Sequence, residues 1–329
     1  DSGGASMRVL LLHNPKAGAN DISADDLRQA FRDAGWEVEY MSSDGPEFTR
    51  RLASDLRDEC DLVAAAGGDG TLARVLNGVR APAPPLALLP LGTANNIASS
   101  LGIAGDPRDL VAGLADADAV PLDIAIAQGA WGERRFCESV GFGLIARGLA
   151  PVNAARLPSP HKIPTGRDAL RQALRTMSPD RLTVALDGKP AEEEVLLLEV
   201  MRIPSVGPRL RLVPQAHPGD GRFYVATLGP EGREAMLDWL HHPDDGEPAP
   251  VRLREANHVE IQWQAHPLHL DDRFEDAPPG PAHMTVTMQA GALRVRVPGA
   301  AANAALGERP LPMTAMFSAA GNSAGRQAG

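Results

Sequence analysis

The stretch LVAAAGGDGTLARVLNGV, residues 62–79, joins a strand pattern to a helix pattern through a glycine-rich turn. Residues 62–66 form a short apolar run that is typical of a buried strand. The apolar residues of 72–79 recur at i, i+3, i+4 and i+7, which is the spacing of one helix face. A strand followed at once by a helix is the building block of an α/β fold with a parallel sheet.

The turn itself, GGDGT at residues 67–71, predicts a phosphate-binding loop. Gly67, Gly68 and Gly70 allow the backbone to turn sharply and to approach a ligand closely. The amides of the turn and the start of the next helix offer donors and partial positive charge, with Thr71 as a polar neighbour. Because the carboxylate of Asp69 would repel a phosphate, we expect it to hydrogen-bond backbone amides or to act through a cation.

The first 120 or so residues repeat this alternation of strand and helix patterns. Further strands are predicted at residues 8–13, 36–41 and 86–89, and Ser23 and Asp26 form a predicted capping box before the first helix. Repeated units of this length predict a doubly wound, mainly parallel sheet with right-handed crossovers.

A second loop of the same kind, LPLGTANN at residues 89–96, also follows a strand pattern and opens a helix pattern. Thr93 is the predicted cap of that helix. In a doubly wound sheet both loops lie at the carboxyl ends of strands, where ligands bind. Gly92, Thr93 and Asn95, together with Asn14, are therefore further candidates for contacts with a nucleotide.

After Asp123 the pattern changes to short alternating stretches, which predict a second, mainly antiparallel β domain. Asp187-Gly188 is a predicted hairpin turn. Two helical inserts are predicted at residues 166–177 and 231–241.

We predict a nucleotide-binding domain at residues 7–123 and a second, substrate-binding domain at 124–289. The segment 290–300 is a candidate to return to the first domain. Residues 1–6 and 313–329 are predicted to be disordered, because small and polar residues dominate them.

Composition excludes some classes of function. The net charge of −10 argues against general nucleic-acid binding, which needs a basic face. Cys60 and Cys137 show neither a disulfide framework nor metal-ligand spacing. No apolar run is long enough to span a bilayer, so we expect a cytoplasmic protein. His266 and His269 are expected at the surface.

Three segments resemble the diacylglycerol-kinase catalytic-domain family in their order and spacing: NPKAG at 14–18, GGDGT at 67–71 and PLGTANN at 90–96. That family includes bacterial lipid kinases and relatives of the sphingosine kinases, and GGDGT alone is shared with NAD kinases. The resemblance implies an ATP- and Mg²⁺-dependent kinase that transfers the γ-phosphoryl group to a hydroxyl of diacylglycerol or a related lipid. It also implies that Asp69 belongs to the catalytic site.

A later segment, residues 205–221, is similar to a glycine-rich family segment that ends in Asp-Gly. By resemblance, Asp220 is a ligand of a structural Mg²⁺, and Asp123 joins the same network through water. On the residues alone, Asp220 and its following glycine are a turn. Asn96 stands where many members have Asp, and Arg202 stands where Asn is common.

The general base of the family is a Glu in an Asp-Gly-Glu triplet, and here Arg273 takes the place of that Glu. An arginine cannot act as a base. Asp272 and Glu275 are alternative candidates for the base. An unbroken strand favours Glu275, because side chains alternate between its faces, whereas a turn at 271–272 favours Asp272.

Two alternatives to a lipid kinase stay open. One is a kinase of a soluble acceptor such as NAD. The other is a regulator that binds nucleotide or lipid and is catalytically impaired, which Arg273 favours.

A stripe of arginines marks the first helical insert, since Arg167, Arg171 and Arg175 recur every fourth residue. The stripe is either a solvated helix face or a docking surface for anionic membrane. We expect a lipid substrate to be reached by such peripheral contact with the membrane. A homodimer is also compatible with the sequence.

Overall fold

The computed structural model describes residues 6–18, 22–45, 47–54, 56–155 and 159–298. The segments predicted to be disordered, apart from Ser6, lie outside these described residues.

The first half of the chain forms a parallel sheet in the order β2-β1-β3-β4. Strands β1 and β3 are paired, with Val9 opposite Leu62. Helices α1 and α5 pack together, and helices α2, α3 and α4 form a second packed group, as a doubly wound sheet requires. The strands are β1 Met7–His13, β2 Trp36–Ser42, β3 Leu62–Gly67 and β4 Leu86–Pro90. The helices are α1 Ala24–Asp33, α2 Glu47–Leu52, α3 Asp69–Gly78, α4 Asn96–Ser100 and α5 Pro107–Ala112.

Two helix starts were predicted, and one prediction is wrong. At α1 the capping box is present, because the Ser23 side chain accepts from the Asp26 amide and the Asp26 side chain accepts from Ser23. Thr93 does not cap α4, which begins at Asn96 with Asn95 as the residue before it. Asn95 has a φ of 53°, so the chain is still in a left-handed turn at the point where a helix was expected.

The second half builds a sandwich of two antiparallel layers. Within the described residues, one ten-stranded sheet has the order β2-β1-β3-β4-β16-β13-β8-β9, with β5 paired to β16 and β6. A six-stranded sheet has the order β12-β11-β10-β7-β14-β15. The first strands are β5 Asp118–Gly129, β6 Gly132–Phe136, β7 Ser139–Gly143, β8 Asp180–Leu186, β9 Lys189–Val195 and β10 Leu197–Met201. The later strands are β11 Phe223–Leu228, β12 Arg252–Ala256, β13 Val259–Gln264, β14 Leu268–Leu270, β15 Arg273–Glu275 and β16 Pro281–Val297. The predicted fold class is therefore confirmed.

Three helices cover the outer face of the six-stranded sheet: α6 Leu144–Ala154, α7 Ser159–Thr176 and α8 Arg233–Trp239. The Asp187-Gly188 hairpin is also present, since Leu186 pairs with Lys189. Of the helices in the described residues, none is both long and apolar enough to cross a membrane.

The core has three layers of buried apolar residues. One surrounds the parallel sheet, a second fills the space between the two sheets, and a third lies between the six-stranded sheet and its helices. His269 belongs to this interior and not to the surface, because it is 1% exposed and its Nε2 lies 2.9 Å from a Glu199 oxygen. Burial alone would lower the pKa of His269, but the neighbouring Glu199 carboxylate raises it above the usual value.

The predicted domain boundary at Asp123 falls inside β5, which pairs with β16 on both sides of that residue. The register shifts between Gln289 and Leu293, so a bulge lies opposite Asp123, and the Gly291 amide donates to its carboxylate. The end of β16 pairs in parallel with β4 at Leu86. The two halves are thus joined by a continuous sheet, while the boundaries themselves stay a prediction.

Candidate active site

The two glycine-rich loops lie against each other, because β3 and β4 are neighbours in the sheet. A Cβ placed on Gly92 would be 2.5 Å from the Gly68 Cα, and one placed on Gly18 would be 2.2 Å from the Leu91 carbonyl oxygen. Three loops that were predicted separately therefore meet at one edge of the sheet, at backbone contact distance.

Asn14 connects the first of these loops to the GGDGT loop at residues 67–71. Its Nδ2 donates to the Thr71 Oγ1 at 3.0 Å, while its Oδ1 accepts from the Lys16 amide. Both polar groups of the amide thus serve local structure, and Asn14 and Thr71 lie together where a nucleotide contact was predicted.

Asp69 supports the second loop. Its Oδ1 accepts from the Ile97 amide at 3.0 Å, at the start of α4. Burial raises the pKa of Asp69, and the charge of Asp271 acts in the same direction. Of the two roles expected for Asp69, hydrogen bonding to backbone amides and action through a cation, this geometry corresponds to the first. A catalytic role of Asp69 stays a prediction.

The Gly92–Asn95 loop is shaped by its own side chains and by the second half of the chain. Asn95 Oδ1 accepts from the Gly92 amide at 2.9 Å, and its Nδ2 donates to the Gly92 carbonyl at 3.0 Å. Arg209 donates to the carbonyls of Thr93 and Ala94. Contacts of Thr93 and Asn95 with a nucleotide stay a prediction.

Asp271 is a site residue that the sequence analysis did not select. Its carboxylate accepts from the amides of Glu138 at 2.8 Å and Cys137 at 3.2 Å, and from Asn77 Nδ2 at 3.2 Å. Burial raises its pKa, which these donors oppose. Asp271 therefore holds the turn after β14 to α3 and to the start of β7, and its place in the Asp-Gly-Glu resemblance was the available signal.

This turn separates the two candidate bases. Asp271 has a φ of 49°, and β15 begins only at Arg273, so the strand does not run unbroken through residues 271–275. The Asp272 carboxylate lies at the GGDGT loop, because a Cβ on Gly70 would be 2.3 Å from its Oδ2. The Glu275 carboxylate instead forms an ion pair with Arg134.

Around the turn is a small basic cavity. Its lining includes Arg74, Arg134, Arg135 and Arg273 together with Asp272. Asp272 is exposed, and arginines outnumber acids in the lining of this cavity.

Glu138, which the sequence analysis also passed over, is buried beside Asp69 and Asp271. Its Oε1 accepts from the Asn96 Nδ2 and from the Gly207 amide, both at 3.0 Å. Burial raises the pKa of Glu138 well above its usual range, and the charges of Asp69 and Asp271 add to this. Glu138 joins Asn96, at the start of α4, to Gly207 in the segment 205–221. A lone Glu between short strands offered no sequence signal for this contact.

The predicted magnesium ligands lie near the junction of the two halves. Asp220 accepts from the Tyr224 hydroxyl at 2.8 Å, from the Arg222 amide at 3.0 Å and from the His217 amide at 3.2 Å. Asp123 accepts from the Gly221 and Gly291 amides. The described part of the chain contains no group of three or more His, Cys, Asp or Glu side chains that could hold a metal ion.

The predicted arginine stripe is only partly available to a membrane. Arg167 makes a two-pronged ion pair with Asp244 at 2.7 and 2.9 Å, and Arg171 pairs with Asp168. Arg175 is exposed. Two of the three arginines of the stripe therefore pair with acids of the chain and do not simply face solvent. Membrane contact through α7 stays a prediction.

Comparison with known proteins identifies the family. Residues 8–127 match the model of the diacylglycerol kinase catalytic domain, and residues 138–297 match that of the YegS C-terminal NAD kinase beta sandwich-like domain. A diacylglycerol kinase of Bacillus subtilis is 30% identical over 235 residues, which are 67% of this chain and 73% of that protein. The chain belongs to the diacylglycerol kinase catalytic-domain family. The expectation that it is an enzyme of the lipid-kinase type is thereby confirmed at the level of the family.

Two further relatives agree with this assignment. A diacylglycerol kinase of Staphylococcus aureus (strain MRSA252) is 27% identical over 230 residues, covering 67% of this chain and 70% of that protein. The crystal structure of a diacylglycerol kinase from Bacillus anthracis superposes with a TM-score of 0.70 at 20% identity, covering 89% of this chain and 98% of the other. At that identity the superposition supports the fold.

Proposed function

We propose that this protein is an ATP- and Mg²⁺-dependent kinase that phosphorylates a hydroxyl group of diacylglycerol or a related lipid. The family and the curated relatives support a lipid acceptor. The observation that carries the proposal is the placement of the Asp272 carboxylate against Gly70 of the phosphate loop.

In this proposal Asp272 is the general base and takes the role for which Arg273 is unsuited. A base must lie within hydrogen-bond reach of the hydroxyl from which it takes the proton, so geometry decides before pKa does. The Asn153 side chain donates to the Asp272 backbone carbonyl at 3.2 Å, which anchors the turn to α6 while leaving the carboxylate exposed. Glu275 remains the alternative base, but its ion pair with Arg134 opposes that role.

The phosphate loop would bind the nucleotide through backbone groups. Gly68 and Gly92 approach each other without side chains, so the two loops border the same space. In phosphoryl transfer, catalysis is mostly positioning and charge neutralisation, and glycine-rich loops at strand ends serve both. Asn14 and Thr71 are the proposed polar neighbours of this nucleotide.

A catalytic Mg²⁺ would enter with ATP, because Mg²⁺ in kinases is held by substrate phosphates together with one or two carboxylates. When bound, the ion would neutralise charge on the phosphates.

The acceptor site is proposed to include the groove between the two halves. A cavity of about 320 Å³ lies between α4 and residues 204–216, and its lining includes Ser99, Ser100 and Arg211. This groove is more polar than the hydrophobic cleft expected for a lipid, so it suits a headgroup better than an acyl chain. Peripheral contact with anionic membrane, with Arg175 as the exposed arginine of the α7 stripe, is part of the same proposal.

The experiment that tests the proposal presents the full chain with ATP labelled at the γ-phosphate, Mg²⁺ and a panel of acceptors. The panel contains diacylglycerol, other lipids with a free hydroxyl, and NAD. Label in a lipid product supports the proposal. Label in NAD alone supports a kinase of a soluble acceptor, and nucleotide binding without any labelled product supports a regulator.

A further inference from the structure

Glu199, Gly141 and His269 lie side by side on three neighbouring strands of the six-stranded sheet. Strand β7 pairs with β10 on one side and with β14 on the other, and its Gly141 is opposite Glu199 in the first pair and opposite His269 in the second. Residues opposite each other in antiparallel strands point to the same face of the sheet. The two polar side chains therefore flank a central position that has no side chain.

The missing side chain at Gly141 allows Glu199 and His269 to meet. A Cβ on Gly141 would lie 2.2 Å from the Glu199 Oε1, so the carboxylate occupies the space beside this glycine. The His269 Nε2 is 2.9 Å from Oε1 and 3.0 Å from Oε2, with Glu199 0% exposed and His269 1% exposed. Phe274, opposite His269 on β15, stacks on the same ring at a centroid distance of 6.0 Å. The imidazole is therefore held in one position.

The other ring nitrogen of His269 contacts the turn after β14. Its Nδ1 lies 3.0 Å from the backbone carbonyl oxygen of Asp271. A carbonyl oxygen can only accept, so Nδ1 must carry a proton. The pair then holds either an imidazolium and a carboxylate, or a neutral imidazole whose Nε2 accepts from a protonated Glu199. In both states the contact with Glu199 leaves Nδ1 as the donor.

This hydrogen bond fixes the peptide group that leads into Asp272. The carbonyl of Asp271 and the amide of Asp272 belong to one planar unit, so a fixed carbonyl also fixes the direction in which the chain leaves Asp271. The Asp271 amide donates to the Ser139 carbonyl at 2.8 Å, again on β7. Asp271 has a φ of 49°, a conformation that a residue with a side chain keeps only where its surroundings hold it. His269 supplies part of that hold.

We propose that Glu199 and His269 are positioning residues for the proposed base, Asp272. Glu199 orients the imidazole through Nε2, and Nδ1 holds the Asp271 carbonyl. That hold directs the Asp272 carboxylate toward Gly70. This inference rests on the proposed function, since Asp272 is the base only under that proposal. Its rival is a buried pair that stabilises the core and does not affect the turn.

Two substitutions of His269 separate the roles of its two ring nitrogens. His269→Asn places an NH₂ group where Nδ1 lies, so it can still donate to the Asp271 carbonyl but loses Glu199. His269→Gln places its NH₂ group where Nε2 lies, so it keeps Glu199 but loses the carbonyl. With γ-labelled ATP and diacylglycerol, we expect kcat to fall about 10-fold in His269→Gln and less than about 3-fold in His269→Asn, with KM for ATP unchanged in both.

A contact that only stabilises the core predicts the reverse order, because only the glutamine keeps the buried Glu199 paired. Equal kcat values for the two variants, or a larger loss in His269→Asn, would overturn the proposal. His258→Asn and His258→Gln are the matched controls, since His258 forms a partly exposed pair with Glu260. Both controls should keep the parental kcat.

A second measurement needs no turnover, and it separates this inference from the proposed function. The unaltered full chain is labelled with ¹⁵N at histidine, and the ring signals of His269 are identified by nuclear magnetic resonance through their contacts with Phe274. We expect a proton on Nδ1 that exchanges slowly with solvent. A ring protonated on Nε2 alone would overturn the proposal even in an active enzyme, and this result decides if a variant does not fold. A protonated Nδ1 in a chain that phosphorylates no acceptor would remove the proposed function and support the hold on the turn.

Discussion

Asp272 and Gly70 are in direct contact across the two halves of the chain, since a Cβ on Gly70 would lie 2.3 Å from the Asp272 Oδ2. Gly70 belongs to the proposed phosphate loop, and Asp272 to the turn between β14 and β15. The contact requires glycine at residue 70. It also places the Asp272 carboxylate beside the proposed phosphate site, and the functional proposal rests on that placement.

The close approach of the two glycine loops predicts that Gly92→Ala impairs nucleotide use. The new Cβ would be 2.5 Å from the Gly68 Cα, so the loops must separate. We expect kcat/KM for ATP to fall about 10- to 100-fold, as small misplacements of catalytic groups do. Gly280→Ala is the control, because a Cβ there meets nothing within 4 Å. Equal kcat/KM values for the two variants would show that the loop contact is unimportant.

The buried Glu138 predicts a pH dependence of stability. Its pKa is raised above the ordinary value of 4.5, so the folded state binds more protons than the unfolded state between the two pKa values. The contribution of Glu138 to the free energy of unfolding is therefore fully present below pH 4.5. That contribution is lost as the pH rises through the pKa of Glu138 in the folded state. The melting temperature of the parent should fall over that range.

Glu138→Gln tests this directly, because the glutamine oxygen can still accept from Asn96 and Gly207 while the charge is removed. We expect a flatter dependence of melting temperature on pH, with a gain of about 2–4 °C at the alkaline end. Exposed Glu37→Gln is the control and should leave the slope unchanged. A parental slope in Glu138→Gln would place the titration in another group.

The arginine stripe predicts different effects for its members. Arg175→Gln should weaken binding to anionic vesicles about fivefold without changing the melting temperature, since Arg175 is exposed. Arg167→Gln should instead lower the melting temperature, because Arg167 is 15% exposed and pairs with Asp244. Vesicle binding is measured by co-sedimentation at low salt and at 0.1 M salt or above, where charges more than about 10 Å apart are screened.

The control for vesicle binding is Arg32→Gln, an exposed arginine in the last turn of α1. If Arg32→Gln and Arg175→Gln bind vesicles alike, α7 is not the membrane-facing helix.

Much of the fold follows from local sequence. The Leu62–Gly67 strand, its glycine turn and the α3 face could be predicted because apolar spacing and turn residues act within a few positions. The capping box at Ser23 and the hairpin at Asp187 are equally local. These features need no knowledge of distant residues.

The site is harder to predict, because its contacts join residues far apart in the chain. Glu138 bonds with Asn96 and Gly207, and Asp271 bonds with amides more than a hundred residues earlier. His269 was misplaced for the same reason, since its partner Glu199 lies 70 residues away. Thr93 was misassigned because the left-handed turn at Asn95 overrides an ordinary capping pattern.

The choice between Asp272 and Glu275 shows where the limit lies. An unbroken strand favoured Glu275 as the base, and a turn favoured Asp272. The backbone at Asp271, with its φ of 49°, shows that the turn is present. Arg273 is exposed and occupies the position of the family's Glu. The carboxylate of Asp272, one position earlier in the chain, reaches Gly70 instead.

The central claim is tested most directly by the transfer of label from γ-labelled ATP to diacylglycerol, compared for the parent, Asp272→Asn and Glu275→Gln. The account predicts labelled lipid from the parent, a loss of at least about 100-fold in Asp272→Asn, and a rate close to the parental one in Glu275→Gln. Unchanged melting temperatures should accompany these rates. A parental rate in Asp272→Asn, or no labelled lipid from a folded parent that binds ATP, would contradict the account.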